Sequence, residues 1–177
     1  FLKNKKLILA TIHRRENWGE NLIQILKGLE KILIHNPNCI LVIPLHPNKI
    51  VREPIKDFFS NKKNVFLIEP LPYDQLISAM KASHIIISDS GGIQEEAPSL
   101  NKPVIVLRDT TERQEAIDAG TAKLVGTNSE KIFKLSNNLL NIDEEYKNMS
   151  SVENPFGDGN ASQRIVNECI KFLKNLN

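Results

Sequence analysis

Ile85-Ile86-Ile87-Ser88-Asp89-Ser90-Gly91-Gly92-Ile93-Gln94-Glu95-Glu96-Ala97-Pro98 contains a strand, a turn and a helix start in fourteen residues. The isoleucine run predicts a strand buried on both faces, as parallel strands are. Ser88-Asp89-Ser90 leave it through a polar turn, and Gly91-Gly92 open a helix. The unpaired N–H groups of a helix start, bared by two glycines, form an anion site. About one helical turn further on, Glu95 and Glu96 offer carboxylates, which suit sugar hydroxyls rather than phosphate. A phosphate cradle followed by a hydroxyl acceptor points to a nucleotide or nucleotide-sugar site. Taken alone, the glycine pair fits close strand–helix packing equally well.

The same pattern repeats along the chain. Aliphatic runs at 7–11, 40–45, 65–68, 85–88, 104–107 and 122–125 predict six strands. Amphipathic segments near 19–35, 51–60, 73–82, 91–98, 113–118 and 129–140 predict the helices between them. The first carries Leu22, Ile25, Leu26, Leu29, Ile32 and Leu33 on one face at helical spacing. Strand–helix alternation with continuous aliphatic strands predicts an α/β fold, a doubly wound parallel sheet of Rossmann-like type. The segment 154–159, Asn-Pro-Phe-Gly-Asp-Gly, is turn-rich and precedes a last helix near 160–175.

At 177 residues the chain is long enough for one domain with a single core. Its net charge of +2, without a long basic run, argues against nucleic acid as a main partner. No apolar run approaches the ~18 residues of a membrane span, and no signal peptide is visible. Cys39 and Cys169 lie far apart without CxxC spacing, which predicts reduced core thiols and a cytoplasmic setting. No His/Cys/Asp cluster has zinc-like spacing and no GxxxxGK[ST] motif occurs, so neither metal nor cofactor is expected. The sequence opens on Phe1, not Met, and runs straight into a strand, as a domain excised from a longer protein would.

Ligands of open parallel sheets sit at the carboxyl ends of the strands, near the switch in strand order. His13-Arg14-Arg15-Glu16-Asn17 follows the first strand and His46-Pro47 the second. The Ser90 loop follows the fourth and Arg108-Asp109-Thr110-Thr111-Glu112-Arg113 the fifth. Arginines, imidazoles and a helix terminus on one rim favour a polyanionic ligand. In isolation, His13 fits a structural role, its neighbours a surface ion-pair cluster, and His46-Pro47 a loop turn. Glu95 fits a solvent-facing or structural position, and His35 and His84 ordinary surface or packing positions.

Three of these blocks, 13–17, 89–98 and 108–113, together with 154–159, resemble the non-hydrolysing bacterial UDP-N-acetylglucosamine 2-epimerases. The resemblance covers nearly the whole chain but only the C-terminal half of such an enzyme. It implies a GT-B architecture: two Rossmann-like domains with the active site between them, this chain being the one that holds most of the UDP. Members interconvert UDP-GlcNAc and UDP-ManNAc by eliminating UDP to a glycal and adding it back after inversion at C2. By this resemblance Ser90, Gly91 and Gly92 take the diphosphate, Arg113 adds fixed positive charge, and Glu96 accepts from ribose hydroxyls. His13 matches a functionally important histidine beside the diphosphate and sugar. Arg14 and His46 match positions associated with allosteric UDP-GlcNAc at the domain interface.

The implied partners are UDP or UDP-GlcNAc, an N-terminal domain holding the carboxylate acid/base groups, and a possible second copy in a homodimer. With those carboxylates in the other half, the isolated chain is expected to show no turnover. There are departures from the family pattern. Leu71 and Leu76 stand where some members place Gln and Phe near the uracil, Ile12 replaces a small residue, and Gln114 replaces a proline. Two other functions fit the nucleotide half: a GT-B glycosyltransferase and a non-catalytic nucleotide-sugar sensor.

Overall fold

A computed structural model describes residues 4–175. Six strands alternate with helices as the periodicities require: β1 (Lys6–Thr11), α1 (Glu20–His35), β2 (Cys39–Pro44), α2 (Lys49–Phe59), β3 (Val65–Ile68), α3 (Tyr73–Ala82), β4 (Ile85–Ser88) and α4 (Gly91–Glu96). They continue through β5 (Val104–Val106), α5 (Gln114–Ala119), β6 (Ala122–Leu124), α6 (Ser129–Asn141), α7 (Asp143–Ser150) and α8 (Ala161–Lys174). The strands form one parallel sheet in the order β3-β2-β1-β4-β5-β6. The chain therefore runs outward from β1 in one direction and then, after a crossover, outward from β4 in the other. The switch point lies between β1 and β4, where ligands of this fold bind.

Successive strand residues enter opposite cores. Ile8, Ala10, Ile85 and Ile87 point to one face, where Ile25, Leu26 and Leu29 of α1, Ile55 of α2 and Ile132 of α6 cover them. Leu9, Ile86, Val104 and Val106 point to the other, under Met80 of α3, Ile93 of α4 and Ala116 of α5. Strands apolar at every position are thus explained by helices on both sides of the sheet. The anticipated face of α1 is the buried one: Leu22, Ile25, Leu26, Leu29, Ile32 and Leu33.

The departures are local. Helix α2 begins two residues earlier than its apolar pattern, because the Asn48 side chain caps it by accepting from Ile50 N at 3.0 Å. Helix α4 stops at Glu96 and tightens into a 3-10 turn over Ala97–Leu100, since Pro98 has no N–H for the α ladder. Helix α7 was not anticipated. It buries only Met149 and starts on Asp143, Glu144 and Glu145, so charge at its N-terminus rather than an apolar stripe marks it. The expectation of two core thiols is also corrected: Cys39 is buried but Cys169 is exposed. Cys169 sits on α8, none of whose residues is buried; Ile165, Val166, Ile170, Phe172 and Leu173 all face outward. Among the described residues, no helix is long and apolar enough to cross a membrane.

At the sheet end away from the switch point, the His84 ring stacks on Tyr146 of α7, centroids 4.3 Å apart. Its Nε2 is buried without a partner. Burial, reinforced by Lys6, pushes its pKa down to about 4. The unfolded chain, with an ordinary histidine, takes up the proton first as pH falls below about 6.5. Stability is therefore full above that pH and is lost as pH falls towards 4. A His84→Phe variant keeps the stack and removes the titration. Its stability relative to the parent should rise by roughly 1–2 kcal/mol between pH 7 and 4.5, after allowance for partial solvent access. Urea titrations at the two pH values measure this, and equal shifts in both proteins would contradict it.

Candidate functional site

Beyond Thr11 at the end of β1, the chain turns through Ile12 and His13. Beyond Ser88 at the end of β4 it turns through Asp89 into α4. These two turns face each other across the switch point, Thr11 pairing in register with Ser88. Their hydroxyls lie 2.6 Å apart, and the Ser88 oxygen also accepts from Ser90 N at 2.9 Å. The Ser90 amide is therefore already engaged. The donors left at the turn are the Ser90 hydroxyl and the first-turn amides of Gly91 and Gly92, which have no preceding helical turn to bond.

The two glycines differ in what surrounds them. A Cβ on Gly91 would meet the Arg113 guanidinium carbon at 3.3 Å, so the arginine rests against this backbone. A Cβ on Gly92 would project into open space, with only the Ser90 hydroxyl within 4 Å. That space is a cleft of about 250 Å³ bordered by His13, Tyr73, Leu76, Ser90, Gly92 and Glu96. The structure thus gathers His13, Ser90, Gly92 and Glu96 on one cleft, with Gly91 and Arg113 at its side. Burial pushes the Glu96 carboxyl above its ordinary range, opposed by a hydrogen bond from Tyr73 and aided by Glu95.

Arg113 is held from two sides. Its Nε donates to Glu95 at 2.5 Å and its Nη1 lies 3.3 Å from Glu112. Glu112 also pairs with Arg108 at 2.6 Å and lies 3.5 Å from Arg14. A buried Gln94 ties this arm to the turn: it accepts from Thr111 at 2.7 Å and donates to Ser90 O at 3.2 Å, while Thr111 accepts from Arg113 N at 3.1 Å.

His13 borders two further hollows. One is apolar and includes Ile12, Pro44, Leu45, Leu71 and Leu76, with His46 beyond. The other is bordered by Arg14, Arg15, Glu16, Trp18, His46 and Asn48. The rings of His13 and His46 are stacked, centroids 5.9 Å apart, and His46 Nδ1 accepts from Asn48 N at 3.2 Å. Arg14 Nε and Trp18 Nε1 are buried without hydrogen-bond partners.

The residue that organises the β1 turn is Asp89, which sequence reasoning treated only as part of a polar exit. It is fully buried. It accepts from His13 N at 3.1 Å, Arg14 N at 2.9 Å and Asn17 Nδ2 at 2.9 Å, and it lies 3.0 Å from His13 Nδ1. Burial pushes its carboxyl up, but the hydrogen bonds from His13, Arg14 and Asn17 outweigh this and hold it below the usual carboxylate range. Asn17, also buried, reaches on to Leu107 O at 3.1 Å, so the ends of β1, β4 and β5 are joined through two side chains. A carboxylate next to an aliphatic strand and one residue before Ser-Gly-Gly was the available signal. Among the described residues, no group of three or more His, Cys, Asp or Glu side chains gathers as a metal centre would require.

The family model for UDP-N-acetylglucosamine 2-epimerase matches residues 2–170. The chain belongs to that family. A UDP-N-acetylglucosamine 2-epimerase from Campylobacter jejuni is 49% identical over 172 residues, 97% of this chain and 45% of the relative. The crystal structure of the Neisseria meningitidis UDP-GlcNAc 2-epimerase bound to UDP-GlcNAc is 52% identical, with a TM-score of 0.91 over 95% of this chain and 45% of that one. An S. aureus MnaA co-structure with UDP is 44% identical, with a TM-score of 0.93 over 99% of this chain and 48% of that one. The chain thus spans somewhat under half the length of these relatives and has the Rossmann-like fold of one half of their GT-B architecture.

Proposed function

We propose that this chain is the UDP-holding half of a two-domain UDP-GlcNAc 2-epimerase, with the cleft at the switch point as its nucleotide site. The observation that carries this is one juxtaposition: His13, the Ser90–Gly92 turn and Glu96 border a single cleft, with Arg113 against Gly91. UDP lies with its diphosphate at the turn and Arg113, its ribose hydroxyls at Glu96, and its uracil towards the apolar hollow of Leu71 and Leu76. In the epimerase reaction the C1–O bond breaks and its electron pair leaves on the diphosphate, while a base removes the C2 proton to leave the C1=C2 double bond of the glycal; a proton then returns to the opposite face of C2, inverting it, as the UDP oxygen bonds C1 again. This half stabilises the growing charge on UDP and keeps it bound until it returns. The base belongs to a second domain. The uncovered apolar face of α8, with Ile165, Phe172 and Leu173 outward, supports a further body packing there.

Arg14 and His46 belong to a neighbouring site in the same reading. Their hollow is bordered by Arg14, Arg15, Trp18 and His46 and shares His13 with the cleft. A second nucleotide sugar there would act on the reacting centre through that shared imidazole.

Calorimetry on this chain with UDP, UDP-GlcNAc and UMP tests the assignment. UDP should bind at least about tenfold more tightly than UMP, a difference of about 1.4 kcal/mol, because only UDP reaches the turn with its second phosphate. Equal affinities would show that the turn does not hold the diphosphate. The chain alone should not convert UDP-GlcNAc, and fusion to the N-terminal half of the N. meningitidis epimerase should restore conversion. Turnover by the chain alone, tracking its concentration through purification, would overturn the division between halves.

A further inference from the structure

We propose that Asp89 is the positioning residue for His13: it fixes the imidazole with Nδ1 bearing the proton and turns Nε2 towards the diphosphate. The proposal rests on His13 and the Ser90–Gly92 turn being the grip on UDP. The Asp89 carboxylate, fully buried, lies 3.0 Å from His13 Nδ1 and holds the turn beneath that ring through His13 N, Arg14 N and Asn17 Nδ2. An ionised carboxylate only accepts hydrogen bonds. Nδ1 must therefore donate, and of the two ring nitrogens only Nε2 is left for a ligand.

Placement adds a second consequence. Asp89 immediately precedes Ser90, whose amide is fixed on Ser88 and through it on Thr11. One residue thus ties the histidine turn after β1 to the phosphate turn after β4, and the distance between imidazole and diphosphate is set by the sheet. Carrying a second proton on Nε2, a ring so held donates to the charge building on the leaving diphosphate without rearrangement, the form of stabilisation that costs least at the moment of reaction.

The test is nitrogen NMR of the imidazoles in this chain, with His13 assigned from the His13→Gln spectrum. With its ring neutral, His13 should be the Nδ1–H tautomer. UDP should shift Nε2 strongly and Nδ1 little. In Asp89→Asn, an amide N–H facing Nδ1 should invert the tautomer and place the proton on Nε2. A neutral His13 ring with its proton on Nε2 in the parent protein would overturn the proposal. So would UDP that binds by calorimetry yet leaves Nε2 unshifted. Absence of UDP binding would instead remove the nucleotide site itself, and the proposal with it. If Asp89→Asn does not fold, the parent tautomer and its response to UDP still decide.

Discussion

Gly92→Val should leave the melting temperature of the chain within about 2 °C of the parent and weaken UDP about a hundredfold, some 2.7 kcal/mol. Both halves of that expectation come from the same geometry. Gly92 is exposed, and a Cβ there meets nothing nearer than the Ser90 hydroxyl at 3.9 Å. The folded protein therefore registers only the small helix-propensity difference between glycine and a β-branched residue, a few tenths of a kcal/mol in favour of valine. The space the side chain fills is the cleft itself, directly over the first-turn amides. A diphosphate needs its oxygens at hydrogen-bond distance from those amides, and two methyl groups keep them away. Gly92→Ala adds one carbon and should cost about tenfold. Gly91 would not serve, because its Cβ displaces Arg113 and confuses the two effects. Calorimetry and a thermal melt measure both quantities. Unchanged affinity would mean that the glycine pair serves only the packing of α4 on β4, the plain alternative that the sequence left open.

The fold was legible because apolar residues carry its information locally. Ile85–Ile87 and Val104–Val106 are buried on both faces, and their continuous aliphatic runs say so without reference to anything distant. The strand ends were legible for the same reason: a polar residue after a buried run marks the sheet's rim. What was not legible lies in contacts across the chain. Asp89 reads as one polar residue among three until β1 is laid beside β4 and His13, 76 positions away, donates to it. Gln94 has no local signal either, since its partner Thr111 is brought to it by β5 rather than by spacing. Glu95 fitted a solvent-facing position, and only the fold shows its pairing with Arg113. Helix α7 escaped because it buries a single side chain, Met149, so no stripe distinguishes it from a polar connection.

Arg113→Met should weaken UDP by roughly thirty- to a hundredfold, the worth of a charge-assisted phosphate contact, and UMP far less. The UDP-to-UMP preference should shrink accordingly. Arg113 can make this contact cheaply because its present partners hold it loosely in energetic terms. Glu95 at 2.5 Å and Glu112 at 3.3 Å are both more than 40% exposed, and exposed pairs of this kind contribute about 1 kcal/mol or less. They aim the guanidinium along the face of Gly91 without making it expensive to hand over. The sign of a second substitution follows. Glu95→Gln keeps an acceptor for Nε but removes a negative charge beside the incoming phosphate. UDP should then bind about two- to fivefold more tightly at low salt, with the gain fading as ionic strength rises. If Glu95→Gln instead weakened UDP as much as Arg113→Met does, Glu95 would be the aim itself rather than a competitor for the arginine. The two variants measured together, across salt, separate those roles.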